Sequence, residues 1–353
     1  MLHLCLTFDY ELFFAHTDFS EQDVLFKPTD RILDLLDEYD IKATFYADTA
    51  SCIRYAEFGL NDFPKSFNAQ ITSMRKRKHD IQLHIHPIWY NAKLEKGKWQ
   101  FDNRYYRLHA FDKIHSEVDM RQIFLETKNY LESVLKEVDN NYKCVSFRAG
   151  GFCIQPEQEI FKLMEENRII IDSSVCKGLY SNTGTHYYNF TKTPEKENWW
   201  MSSESGLCRE DCNGKIFEIP IGSICKKPEK WLIVHKNPRL RREELKGKTS
   251  DAIEMSAFSC KKLLQKINDF WNHSVMMSLD SAHYKALIEM VYYYLKTYDC
   301  VNQEIYICLI GHPKLFGITN LENLKNFIEQ INNQFSDAVI FNTIEQAYQE
   351  NRK

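Results

Sequence analysis

The chain alternates short apolar runs with segments whose apolar residues recur at helical spacing. Strand-like runs occupy 2–8, 43–46, 80–86, 144–148, 169–171, 305–310 and 338–341. Amphipathic helical patterns occupy 29–39, 67–78, 120–138, 158–167, 283–297 and 321–333. Strands that alternate with helices in this way predict βαβ units and an α/β fold with a parallel sheet.

One long stretch interrupts the alternation. Residues 176–260 are rich in Asn, Thr, Ser, Lys and aromatic residues, and they contain one clear strand pattern at 216–221. We interpret the whole chain, 1–353, as a single barrel domain in which 176–260 is an insertion. Insertions at the carboxyl face of a barrel usually shape the pocket, so this one is predicted to form a wall or lid on the substrate side.

Polar residues follow five of the predicted strands. Parallel sheets place their chemistry at the carboxyl ends of strands, so these residues are the candidates for a site. The segments are Thr7-Phe8-Asp9-Tyr10-Glu11, Leu83-His84-Ile85-His86-Pro87, Phe147-Arg148-Ala149-Gly150-Gly151, Ile171-Asp172-Ser173-Ser174 and Ile310-Gly311-His312-Pro313.

The side chains in these segments suit a metal-assisted hydrolase. In an extended chain, residues i and i+2 face the same side, so His84 and His86 can present two imidazoles to one point. Two histidines and one carboxylate form a site for a divalent ion, and Asp9 and Glu11 supply two carboxylates, one of which is left to accept a proton. Arg148 can hold that carboxylate ionised.

The last two segments offer a general acid. His312 can donate a proton to a leaving amine, and Asp172 is a candidate to orient it. Together the five segments fit the hydrolysis of an amide or an ester.

The motifs resemble those of polysaccharide deacetylases of the NodB-homology type, carbohydrate esterase family 4. Thr7-Phe8-Asp9-Tyr10-Glu11 resembles the first motif, Phe147-Arg148-Ala149-Gly150-Gly151 the arginine motif, and Ile310-Gly311-His312-Pro313 the last motif. The resemblance covers roughly 1–175 and 300–350. It implies a distorted (β/α)7-type barrel that removes an acetyl group from a sugar through water bound to a divalent metal, expected to be zinc.

The resemblance also assigns roles. It implies that Asp9 is the base, that Arg148 orients Asp9, and that His312 is the general acid. The metal ligands would be Glu11, His84 and His86. Trp89, Gly150 and Gly151 are further candidates for contacts with the substrate, since an aromatic face suits the apolar face of a sugar ring.

The sequence departs from the common family pattern at two points. The family usually spaces its two histidine ligands at i and i+4, and that position is Ile88 here; a subgroup with a Leu-His-Leu-His-Pro motif is more similar. The first motif is Asp-x-Glu where the common form has two adjacent aspartates. The longer Glu11 side chain is expected to compensate for the inserted residue.

Composition narrows the class of partner. A net charge of −4, from 45 basic and 49 acidic residues, gives no basic excess for nucleic acid or an anionic membrane. No apolar run reaches the length of about 18 residues that spans a bilayer. The amino terminus predicts a strand and not a signal peptide, and 11 scattered cysteines are typical of free thiols, so a cytoplasmic protein is expected.

Two other functions stay open at this point. Related barrels hydrolyse other non-peptide C–N bonds, and a barrel of this type can bind a glycan without catalysis. Retention of Asp9, Arg148 and His312 argues against the second, because binding alone needs neither a base nor an acid. An acetylated sugar or glycan precursor, on a nucleotide or lipid carrier, is the expected substrate.

Overall fold

The computed structural model describes residues 1–14, 20–112, 117–224, 229–230, 232–233 and 274–351. The helices are α1 (Lys27–Glu38), α2 (Thr49–Glu57), α3 (Asp62–Lys76), α4 (Met120–Lys136), α5 (Gln158–Glu166), α6 (Tyr284–Thr297), α7 (Ile318–Gln334) and α8 (Ile344–Asn351). The strands are β1 (Leu2–Tyr10), β2 (Thr44–Asp48), β3 (Asp80–Ile85), β4 (Lys93–Glu95), β5 (Lys98–Gln100), β6 (Ser146–Ala149), β7 (Ile171–Asp172), β8 (Tyr180–Asn182), β9 (Tyr187–Asn189), β10 (Trp199–Met201), β11 (Ile216–Glu218), β12 (Ser223–Ile224), β13 (Val275–Met276), β14 (Ile305–Gly311) and β15 (Val339–Phe341).

Seven parallel strands form a closed barrel. The sheet runs in the order β11-β7-β6-β3-β2-β1-β14, with β10 on β11 and β15 beside β1. The chain beyond β11 closes the ring, since Ile221 bridges in parallel to Cys308 of β14. Two backbone hydrogen bonds support this seam: Cys308 N donates to Pro220 O at 2.9 Å, and Gly222 N donates to Cys308 O at 2.9 Å. This is the distorted (β/α)7-type barrel that the sequence predicted.

Alternation along β1 explains why polar groups reach the barrel interior. Leu4, Leu6 and Phe8 belong to the apolar core between the sheet and its helices, whereas Cys5 packs in a second cluster with side chains of β2 and β14. Successive side chains of a strand point to opposite faces, so Thr7 and Asp9 follow Cys5 up the inner face. Asp9 therefore lies at the carboxyl end of the barrel.

The helices follow from the spacing of apolar residues. In α1, a proline lies at the first turn and Ile32, Leu33 and Leu36 are buried. These positions share one face of the helix, which packs on the barrel. The predicted segments 29–39, 120–138 and 158–167 are confirmed as α1, α4 and α5, whereas α2 was not predicted.

The stretch 176–260 contains both a barrel strand and additions to the barrel. A hairpin, β8–β9, and β10 precede β11, and the antiparallel pair β12–β13 follows it. Residues 225–228, 231 and 234–260 of this stretch lie outside the described residues. The prediction that 176–260 forms a wall or lid on the substrate side stays a prediction.

Two predictions made from the composition can be compared directly with the structure. Within the described residues, no helix is long and apolar enough to cross a membrane. The nine cysteines in the same part of the chain are all free thiols.

Candidate active site

Glu11, His84 and His86 converge at the carboxyl end of the barrel. One ligand atom from each lies within 4.8 Å of the others, and all three side chains are buried. His84 Nε2 lies 3.2 Å from Glu11 Oε2, and His86 Nε2 contacts the same oxygen. These are the three residues that the sequence predicts as metal ligands, and they lie close enough together to hold an ion.

The surroundings of the two imidazoles leave one nitrogen of each facing the carboxylate. His84 Nδ1 donates to the backbone carbonyl of Arg148 at 2.8 Å. In the neutral ring, Nε2 is then unprotonated, and its lone pair can bind a metal ion. Gly150 packs against His86, because a Cβ built on Gly150 would lie 2.7 Å from His86 Nδ1. Gly150 thus gives the ring room, and no larger residue fits there without displacing it.

The donor set fits a divalent ion. Two imidazole nitrogens and one carboxylate oxygen suit zinc and related ions, and three protein ligands leave positions open for water and substrate. Burial lowers the pKa of His86 to about 4, so its ring is neutral near pH 7. Burial also opposes charge on His84, but Asp9 and Glu11 raise the pKa of that imidazole to about 9. In the protein without an ion, a proton on His84 offsets part of the negative charge of the Asp9 and Glu11 carboxylates.

Asp9 is held apart from the cluster by Arg148. Arg148 Nη1 donates to Asp9 Oδ1 at 2.7 Å and to Thr7 Oγ1 at 3.0 Å, and the arginine is fully buried. Ser173 accepts from the other side of the guanidinium, through its carbonyl and its hydroxyl, both at 2.9 Å. Burial alone would raise the pKa of Asp9, but Arg148, His84 and His312 outweigh it and hold the pKa below its usual value.

His312 comes directly after β14 and faces the same space. Its Nε2 lies 3.6 Å from Asp9 Oδ2 and 3.7 Å from Glu11 Oε1. On the other side of the ring, Nδ1 donates to Asp280 Oδ2 at 2.7 Å, and the backbone N of His312 donates to Asp280 Oδ1 at 2.8 Å. Burial lowers the pKa of His312, but the Asp280 carboxylate outweighs it, so the net shift is upward.

Asp280, and not Asp172, is therefore the orienting partner of His312. Asp172 is fully buried and accepts from Ser174 Oγ at 2.7 Å. It pairs in register with Glu218, another buried carboxyl group. Burial raises the pKa of Asp172 and also that of Glu218, whose neighbour Asp172 raises it further. The prediction for Asp172 was wrong because Asp172 and Ser173 alternate, and Ser173 faces Arg148.

Trp89 also differs from its predicted role. Its side chain is 1% exposed, and its indole Nε1 donates to Asp48 Oδ2 at 3.0 Å. The other oxygen of Asp48 accepts from the backbone N of His86 at 3.1 Å. A ring enclosed in this way has no face for a sugar, so Trp89 supports the loop that carries His86. Gly151, at φ 56°, lies against Tyr106 and remains a candidate for substrate contact.

The sequence did not identify Lys314 or the aromatic residues that surround the cluster. Lys314 Nζ donates to Glu11 Oε1 at 2.7 Å and to Leu12 O at 3.0 Å. Phe14 packs on the His86 ring at 4.2 Å between centroids, and the Tyr106 ring meets His86 edge-on at 5.6 Å. Lys314 comes directly after the Ile310-Gly311-His312-Pro313 motif, but nothing in that pattern indicated that its side chain would reach Glu11. Asp280 did follow an apolar run, Val275-Met276-Met277, and that signal was available.

Comparison with known proteins agrees with the motifs. A family model described as polysaccharide deacetylase matches residues 3–152. No curated protein matches the sequence.

Solved structures show weaker likeness over the whole chain. A Mycobacterium smegmatis protein assigned to the polysaccharide deacetylases is 15% identical with a TM-score of 0.49, over 99% of this chain and 90% of that one. The PuuE allantoinase is 14% identical with a TM-score of 0.49, over 99% and 90%. A peptidoglycan N-acetylglucosamine deacetylase is 11% identical with a TM-score of 0.40, over 98% and 88%.

The family match spans 150 of the 353 residues, from 3 to 152. It includes the strands that carry Asp9, His84 and Arg148, and the residues directly after β1 and β3, which supply Glu11 and His86. The resemblance to the polysaccharide deacetylase family is thus confirmed for residues 3–152, the part of the chain that supplies Asp9, Glu11, His84, His86 and Arg148.

Proposed function

We propose that this protein is a metal-dependent hydrolase that removes an acetyl group from a sugar or a glycan precursor. The observation that carries the proposal is the separation of two buried carboxylates: Glu11 contacts the two imidazoles, and Asp9 is bound to Arg148. One carboxylate is therefore available to hold a cation and the other to accept a proton. A protein that only binds glycans needs no such division.

Glu11, His84 and His86 would hold the ion. An ion at this position supplies a Lewis acid for the acyl oxygen and lowers the pKa of a water. Zinc is the ion we expect, since imidazole and carboxylate ligands suit it.

The side chains around the cluster carry the proton transfers. Arg148 keeps Asp9 ionised. Asp9 accepts a proton from the attacking water while the oxygen of that water bonds to the acyl carbon. His312, in its protonated form, donates to the leaving nitrogen or oxygen of the sugar as the bond to the acyl carbon breaks. The products are acetate and the free amine or hydroxyl. Asp280 keeps the His312 ring oriented and protonated.

Metal removal tests the proposal as a whole. We expect dialysis against a chelator to abolish acetate release from acetylated amino sugars and sugar nucleotides, and added zinc to restore it. Elemental analysis of the same samples gives the metal content. Loaded protein that releases no acetate, from either N-acetyl or O-acetyl sugars, would contradict the proposal and favour a binding barrel. Release of ammonia or urea from small cyclic amides would instead favour the hydrolysis of another C–N bond.

The His312–Asp280 pair predicts a pH effect. Because the carboxylate raises the pKa of His312, Asp280→Asn should lower that pKa. His312 then loses its proton at a lower pH, so the alkaline limb of kcat/KM should move down by about one pH unit or more. Asp172→Asn is the matched control, since Asp172 bonds to Ser174 and not to His312. An alkaline limb that moves in Asp172→Asn but not in Asp280→Asn would reverse the assignment.

A further inference from the structure

A cavity lies at the opposite end of the barrel from the candidate active site. Its volume is about 620 Å³, and the residues just before β6, β7 and β11 line it. Parallel strands put all their amino ends on one face, and the site described above lies at their carboxyl ends. The volume is within the usual range for small-molecule sites, about 300–1,000 Å³.

The charged residues of this cavity are mostly cations. Five basic and two acidic side chains line it, which leaves an excess of three positive charges, although the whole chain carries a net charge of −4. Glu132 is bound by Lys128 at 2.9 Å and by Lys136 at 2.8 Å. The carboxylate of Glu165 accepts from Ser203 N at 3.1 Å.

Three of the cations have no ion-pair partner among the residues that the structure places. They are Lys143, Arg168 and Lys215, and each comes from a different loop at the amino end of the barrel. Like charges brought to one concavity repel one another, and the repulsion is relieved when an anion binds between them. A phosphate group is suited to such a set, since it accepts hydrogen bonds from both ammonium and guanidinium groups.

Aromatic rings form the rest of the wall. Trp200 and Tyr348 are half-buried and line the cavity. The Trp200 ring packs on Phe217 at 5.0 Å between centroids, which supports it from the barrel side. Its indole offers a planar surface for a ring of a ligand.

We infer that this cavity binds an organic phosphate, with the phosphate on Lys143, Arg168 and Lys215 and the base or sugar ring on Trp200. The ligand is one of two kinds with this shared chemistry, a nucleoside diphosphate or a sugar phosphate. The site is separate from the proposed catalytic centre, so its test does not depend on deacetylation.

Calorimetric titration of the full chain at low salt, about 50 mM, tests the inference. The probes are UDP, glucose 6-phosphate, pyrophosphate and uridine. We expect UDP or glucose 6-phosphate to bind more tightly than uridine, and the one that binds identifies the kind of ligand. The same affinity in Glu11→Gln would place binding outside the candidate active site, whereas its loss there would overturn the inference.

Variants then locate the ligand. The triple variant Lys143→Ala, Arg168→Ala and Lys215→Ala should weaken the binding of the organic phosphate and of pyrophosphate roughly tenfold or more. Trp200→Leu should weaken the organic phosphate but not pyrophosphate. A control of equal charge, Lys65→Ala with Lys296→Ala and Lys325→Ala, should have no such effect. All variants are first compared with the parent protein in thermal unfolding.

Three results would overturn the inference. The first is that neither the organic phosphates nor pyrophosphate bind at about 5 mM, a concentration at which any remaining affinity would be too weak to matter. The second is an unchanged affinity in the triple variant. The third is an equal loss of affinity in the triple variant and in its control. Pyrophosphate that binds as tightly as the organic phosphates, with no effect of Trp200→Leu, would overturn the assignment of the ring.

Discussion

Replacing Asp9 by asparagine is expected to lower kcat by about 10²–10⁴ and to leave the bound metal in place. The amide cannot accept the proton of the attacking water, although it keeps nearly the same shape beside Arg148. Metal retention is expected because Asp9 Oδ2 lies 3.8 Å from His84 Nε2, whereas Glu11 Oε2 lies 3.2 Å from the same nitrogen. Acetate release and elemental analysis on the same preparation measure both effects.

Glu11→Gln should give the opposite result. A neutral amide is a poorer partner for a dication, so metal content should fall and activity should partly return with excess metal. Asp337→Asn, at an exposed aspartate, is the control for both variants. If Asp9→Asn loses the metal while Glu11→Gln stays active, the roles of the two carboxylates are reversed.

Arg148→Met is expected to have the largest effect on stability. The guanidinium is fully buried, and its removal leaves the Asp9 carboxylate buried without its partner. Breaking a buried pair in this way costs about 3–5 kcal/mol in the free energy of unfolding. The hydroxyl and the carbonyl of Ser173 lose their donors as well. Chemical denaturation of both proteins, with acetate release, measures the loss.

The double variant Arg148→Met with Asp9→Asn separates charge from packing. Removing the carboxylate removes the unpaired charge, so the double variant should be more stable than Arg148→Met alone and equally inactive. A loss below about 1 kcal/mol in Arg148→Met would show that the pair is not the buried interaction described here.

The centre of the site was predictable because its residues follow long strands. β1 and β3 are nine and six residues long, so the face of each later residue could be counted by twos, and Asp9, His84 and His86 are where that count places them. Counting could not tell which carboxylate of the first motif meets the histidines. That depends on Arg148, which lies far along the chain and binds Asp9 at 2.7 Å.

Elsewhere the sequence lacked the spatial information. β7 is two residues long, so nothing fixed the face of Asp172 before the structure showed Ser173 on Arg148. Trp89 follows the histidine motif as an exposed aromatic residue would, but a buried partner, Asp48, binds its indole. Asp280 follows an apolar run, but that run does not indicate that the chain beyond 176–260 returns to His312.

The pairing of β12 with β13 has a consequence for how this protein can change over evolutionary time. Ile224 and Val275 are directly opposite each other, so the chain leaves the barrel and returns to it at one place. Asp280 does not depend on what lies between, because Leu279 N donates to Ile310 O at 2.7 Å and Asn320 Nδ2 donates to Asp280 O at 3.0 Å. We therefore expect that residues 225–274 can be lengthened, shortened or exchanged for another sequence while Asp280 keeps its contact with His312.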